Sequence, residues 1–209
     1  TIAAAKARAD FAYLREDIGQ LISESQEGTE RVRKIVQDLR DFSRTDATQD
    51  WQPSDIHAGL DSTLNIASNE IKYKADVVRE YGTLPLVECL PSQLNQVFMN
   101  LFVNAAQAMP DERRGIIRIR TGTSGDDEGV WIEIDDNGRG IPPDVIDRIF
   151  DPFFTTKPVG KGTGLGLALS YGIVQNHHGN ITVSSTPGAG TTFRITLPVT
   201  QPADPGETR

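Results

Sequence analysis

From Leu14 to Phe42 hydrophobic positions recur at alternating spacings of four and three: Leu14, Ile18, Leu21, Ser25, Gly28, Val32, Ile35, Leu39 and Phe42. Only Ser25 and Gly28 interrupt the series, charges fill the other faces, and the first proline is Pro53. This heptad seam predicts one long helix of the bundle or coiled-coil kind, spanning about 43 Å at 1.5 Å per residue. One amphipathic helix cannot bury its stripe alone. The seam therefore calls for a partner helix, from another chain or from upstream sequence. The competing reading is a terminal helix lying on its own domain, but the seam is longer than a small domain covers.

Ser43 to Asp50 is polar and reads as a linker. After it the periodicity changes. Pro53–Lys74 is mostly helical in pattern, Val77–Tyr81 and Leu86–Cys89 resemble short strands, and Leu94–Met109 carries a broad apolar helical face. Ile116–Arg120, Val130–Asp135, Ile181–Ser185 and Phe193–Leu197 alternate with period two, as strands of a sheet covered on one side do. Leu165–His178 is a helix stopped by Gly179. Helices on one face of a mixed or antiparallel sheet make a two-layer α/β sandwich. The expected organisation is a helical segment over residues 1–48, an α/β domain over 52–199, and a tail over 200–209 too polar and rich in Pro and Gly to be ordered.

Composition narrows the classes of function. Lys plus Arg number 21 against 29 Asp plus Glu, a net charge of −8, which disfavours a surface that coats nucleic acid. No run approaches the ~18 apolar residues of a membrane span, and no signal-like pattern opens the chain, so a cytoplasmic protein is expected. The single Cys89 excludes an internal disulfide framework and any multi-cysteine metal site.

The candidate chemistry clusters in the second half, with most of the 19 glycines. Asn100 and Asn104 lie one turn apart on a helix, so their carboxamides share a side. Such a pair can give oxygens to a hard cation such as Mg²⁺, or simply be exposed. Asp136-Asn137-Gly138-Arg139-Gly140-Ile141-Pro142 follows a strand directly. An acceptor-only carboxylate there suits an exocyclic amine such as adenine N6, and the glycines let backbone approach a flat ligand. A tight strand-to-helix turn is the alternative. Gly162-Thr163-Gly164-Leu165-Gly166-Leu167 opens a helix, where exposed amides form an anion site suited to phosphate. It is neither a Walker A loop nor a dinucleotide fingerprint, since no Lys-Ser/Thr pair follows and no strand leads in. Gly188-Ala189-Gly190-Thr191-Thr192-Phe193 reads as a hairpin turn. Between these lies Ile149–Lys157, whose adjacent phenylalanines suit either a mobile flap or the core. Lys157 and Lys161 there are either phosphate contacts or solvated charges.

Taken in order, N-x-x-x-N, D-x-G-x-G, a Phe-rich segment, GTGLGL and GAGTTF resemble the N, G1, F, G2 and G3 boxes of two-component sensor histidine kinases. The wider resemblance is to the GHKL ATPase superfamily, over roughly residues 52–199. Glu27–Arg44 is similar to the second helix of the kinases' dimerisation and phosphotransfer domain, in keeping with the seam. The resemblance implies a Bergerat-type ATP-binding fold, with Asn104 as Mg²⁺ ligand and Asn100 supporting it. It implies Asp136 on adenine N6 with help from Thr191, and Gly138, Gly140 and Ile141 beside the base. Gln107 and Ala108 would line the same site, with Gln107 standing where relatives often carry Lys. Gly162, Thr163, Gly164, Leu165 and Gly166 would end a lid over Pro142–Thr163 on the phosphate side, joined by Lys157 and Lys161. Phe153 and Phe154 would dock that lid on the helical domain. Implied partners are a response regulator receiver domain and a second copy through the N-terminal helix, with any membrane anchor upstream. The family's acceptor histidine lies upstream of the matched segment, and His57, His177 and His178 have no acceptor-like context; surface or capping roles suit them. Two other readings stay open: a nucleotide-responsive module without catalysis, and an ATP-hydrolysing GHKL protein. The hydrolysing relatives carry a general-base Glu where this chain has Asn100, and an amide takes no proton from water.

Overall fold

The computed structural model describes residues 11–43, 50–110, 113–125, 128–158 and 162–202. The chain divides into two compact units, one holding the N-terminal helix with Thr155–Thr163, the other spanning Asp46–Phe154 and Gly164–Arg209. The helix predicted from the seam is α1, Phe11–Ser43. Its Ile18, Leu21 and Val32 leave more than half of their surface exposed.

In the second unit five strands form one mixed sheet: β2 (Ala75–Tyr81), β4 (Gly115–Thr123), β5 (Gly129–Asp136), β6 (Asn180–Thr186) and β7 (Gly190–Pro198), in the order β2-β4-β5-β7-β6. β2 and β4 run parallel and the other pairs antiparallel. Helices α2 (Ile56–Ile71), α3 (Pro91–Ala108) and α4 (Gly166–Asn176) cover one face, with α3 central between α2 and α4. This is the two-layer α/β sandwich expected from the alternating segments.

Along β5 the pleat turns Val130, Ile132, Ile134 and Asp136 toward the helices. There Ile132 and Ile134 meet Phe98, Leu101 and Phe102 of α3 in a core from which water is excluded. The opposite face is polar. Arg118 pairs with Asp135 at 3.3 Å, and Glu133 takes both Arg120 at 3.2 Å and Arg194 at 2.7 Å. Half-exposed pairs of this kind add little stability but suit a face turned to water.

Two local features depart from the expectation. Helix α2 begins at Ile56 rather than Pro53, because the Asp55 carboxylate accepts the His57 and Ala58 N–H groups and starts the helix there. Gln52–Ser54 is instead strand β1, antiparallel to β3 (Val87–Cys89). Three residues are too few to display a period of two. The tail begins with Gln201 tied to Glu88: its N–H donates to the carboxylate at 2.8 Å and its amide to the carbonyl at 2.9 Å. Residues 203–209 lie outside the described residues.

Candidate functional site

β5 and β7 pair so that Asp136 stands opposite Thr191 at the end of the apolar face. Both are buried, at 6% and 5% exposure. A carboxylate in that position has lost most of its water. Burial pushes its pKa up to about 6, nearby Asp135 adds to the rise, and the N–H groups of Gly138 and Thr191 oppose it. The Gly138 N–H donates to Oδ1 at 2.8 Å.

The turn after Asp136 is fixed from three sides. The Asn137 side chain accepts the Ile116 N–H at 2.8 Å. Arg139 closes the C-terminus of α3, its N–H donating to the Ala108 carbonyl at 3.0 Å and its guanidinium to the Gln107 carbonyl at 2.8 Å. Gln107 and Ala108 thus hold the turn through their backbone. A side chain at Gly138 would meet the Ala108 carbonyl oxygen at 2.7 Å, and Gly140 has φ +71° with the Thr186 carbonyl against it. Both positions therefore require glycine. The Ile141 N–H donates to Ser185 Oγ at 2.8 Å.

The half-buried Asn100 spans α3 and α4. Its Nδ2 donates to the Gly166 carbonyl at 3.1 Å and lies 3.3 Å from Ser170 Oγ, which itself donates to Gly166 O. Asn104 lies one turn on along α3 and is also half-buried. Helix α4 starts at Gly166 with Leu165 as N-cap, and no side chain caps it. Its first turn thus presents N–H groups and the positive end of the helix dipole. Gly164, at φ +69°, leads in, its carbonyl accepting the Phe153 N–H at 3.0 Å.

Asn100, Asn104, Gln107, Ala108, Asp136, Gly138, Gly140, Ile141, Gly164, Leu165, Gly166 and Thr191 all fall in the sheet-bearing unit. Lys157, Gly162 and Thr163 belong to the other unit, where the Lys157 N–H donates to Thr155 Oγ1 at 3.1 Å. Lys161 lies outside the described residues. The phenylalanines divide between the two readings given them. Phe150 packs 5.5 Å from the Tyr171 ring, and Phe154 lies 4.6 Å beneath the Arg148 guanidinium. Phe153 stays 64% exposed with φ 67°. Of the histidines, His177 takes the capping role, as C-cap of α4, and is fully buried rather than on the surface. Sequence reasoning missed Ser185 and Ser170; the signal at Ser185 was a hydroxyl in step with Ile181 and Val183 on the inward face of β6.

Three catalytic-type ligands for a metal (His, Cys, Asp or Glu) do not cluster anywhere among the described residues. The side chains at the site are one buried carboxylate, two helical carboxamides and hydroxyls, beside the N-terminus of α4. Residues 89–201 match the family described as histidine kinase-, DNA gyrase B- and HSP90-like ATPase. The chain is 40% identical over 170 residues to the signal transduction histidine-protein kinase AtoS of Escherichia coli (strain K12), covering 80% of this chain and 27% of that protein. Over 197 residues it is 34% identical to the sensor histidine kinase ZraS of the same organism, covering 93% and 41%. The nucleotide-free catalytic domain of histidine kinase ThkA superposes with a TM-score of 0.63 at 27% identity, covering 72% of this chain and 97% of that one. The chain belongs to this ATPase family, in the form of the sensor histidine kinase catalytic domain. It spans 27% and 41% of the two curated relatives.

Proposed function

We propose that this chain binds Mg-ATP and, in the whole protein, transfers the γ-phosphoryl group to a histidine, from which it passes to an aspartate on a response regulator receiver domain. The observation that carries the reading is Asp136: a buried carboxylate with two backbone N–H partners, held at the rim of the core where a donor is wanted. In this reading Asp136 and Thr191 receive the adenine amine, and Gly138, Gly140 and Ile141 let backbone run beside the base. The α4 N-terminus, with Gly162, Thr163, Gly164, Leu165 and Gly166, receives phosphate, and Lys157 and Lys161 add positive charge.

A divalent cation would be held by Asn104, supported by Asn100. Two neutral carboxamides bring no charge, so the cation has to arrive with the phosphates that neutralise it; this donor set fits Mg²⁺ on those terms. When bound, the metal offsets phosphate charge and orients the triphosphate. The acidic balance of the chain from position 51 onward makes that necessary, with 13 basic against 19 acidic residues. The protein's part is positioning and charge stabilisation in a dry site. Asn100, with its nitrogen committed to α4, cannot act as general base, which favours transfer over hydrolysis. The whole protein acts in the cytoplasm as a homodimer joined through α1, with Phe153 and Phe154 docking the lid on the helical domain.

The test supplies γ-labelled Mg-ATP and a separate histidine-bearing first helix to the unaltered chain and to Asp136→Ala. Label on the histidine, lost in the variant together with detectable ATP binding, is the expected result. Tight nucleotide binding without transfer would leave only the non-catalytic module, and micromolar binding by Asp136→Ala would overturn the site.

A further inference from the structure

Ser185 Oγ touches three polar atoms. The Gly190 carbonyl lies at 2.9 Å, the Ile141 amide nitrogen at 2.8 Å and Thr191 Oγ1 at 2.9 Å. A hydroxyl carries one proton and two lone pairs. A carbonyl can only accept, so the Ser185 proton goes to Gly190. An amide N–H can only donate, so Ile141 takes one lone pair. The contact with Thr191 is then decided by elimination: the Thr191 proton points at Ser185 and occupies its last lone pair. Thr191 has no proton left, and its hydroxyl oxygen offers only lone pairs beside the Asp136 carboxylate, its partner across β5 and β7.

We infer that Ser185 is a specificity-determining positioning residue: by accepting the Thr191 proton it makes the base end of the site acceptor-only. The site then admits a purine carrying an exocyclic amine and rejects one carrying a carbonyl there. The inference rests on the nucleotide reading of the site. A free threonine hydroxyl would rotate and donate to a carbonyl as readily as it accepts from an amine, directly or through one water. Ser185 does not itself meet the base; it acts on the amine end through Thr191, while also holding the Ile141 N–H.

The experiment measures dissociation constants of Mg-ATP and Mg-ITP, which present an amine and a carbonyl at the same ring carbon, for the full 209-residue chain near pH 7.5. Two acceptors against a carbonyl give the unaltered chain a preference for ATP on the order of 100-fold. In Ser185→Ala that ratio falls roughly tenfold, because the released Thr191 proton can meet the inosine carbonyl; Ser185→Thr, which keeps the hydroxyl, restores it. Thr191→Val lowers the ratio similarly and covers the case in which Ser185→Ala does not fold. Equal weakening of both nucleotides, as a merely structural serine would give, overturns the inference, as does an unmoved ratio in either Ser185→Ala or Thr191→Val. Failure of the unaltered chain to bind ATP would overturn the nucleotide reading itself and the inference with it.

Discussion

Asp136 ends a strand whose other inward residues, Val130, Ile132 and Ile134, are apolar. Its placement works against the fold. The folded carboxyl keeps its proton up to about pH 6, whereas an unfolded aspartate loses it near 3.8. The folded state therefore binds more protons inside that window. Stability from this group is fully present below the lower value and is lost as pH rises through the upper one, by about 3 kcal/mol. Asp136→Asn should raise the unliganded melting temperature above pH 6 by about 6–12 °C while ATP binding is lost; calorimetry across pH 4–8 checks both. The gain should shrink toward pH 4, and a variant less stable than the parent at pH 7.5 would refute the argument. ATP affinity of the parent should fall as pH drops through 6, since a protonated carboxyl is no longer acceptor-only.

Between elements, His177 performs the reverse role. It is the C-cap of α4, and its Nε2 accepts the N–H of Leu90, the N-cap of α3, at 3.0 Å. Accepting there fixes the neutral ring with its proton on Nδ1, directed at the Ile173 carbonyl at 2.8 Å. Burial depresses its pKa, with His178 adding to the effect. Such a histidine stabilises the fold above the unfolded pKa of about 6.5, and that contribution is lost as pH falls through the lower folded value. The sign is opposite to that of Asp136, so each has to be read as parent minus variant. His177→Phe fills the volume but leaves the Leu90 N–H without an acceptor, a loss of about 1–3 kcal/mol. Urea unfolding should show the midpoint falling at unchanged slope. Since α3 carries Asn100 and Asn104 and α4 opens at Gly166, the variant should also weaken binding of the triphosphate more than of adenosine.

At the scale of the molecule, α1 keeps Ile18, Leu21 and Val32 largely exposed. Large apolar side chains left in water along a helix are a liability unless a second helix covers them. Under the proposed dimer, Leu21→Glu should convert the chain to a monomer in sedimentation equilibrium while the ATP affinity of the other unit stays within about twofold, because substitutions at sites with no shared partners act independently. Dimers that survive the charge would place the contact elsewhere.

The order of the boxes from Asn100 to Thr191 was legible in the sequence because each depends on local chemistry. Glycines mark positive φ and close backbone approach, an aspartate after an alternating strand marks a buried rim, and heptad spacing marks a long amphipathic helix. The period-two segments likewise determined a sheet covered on one side. Only the tertiary structure decided what depends on pairing between distant segments. The parallel partnership of β2 with β4, the short β1–β3 ladder, the burial of His177 against Leu90 and the bond from Ile141 to Ser185 all join residues far apart in the chain. Strand register and hydroxyl direction follow from which backbone groups come within 3 Å, and periodicity along one segment carries no information about its neighbour across the sheet.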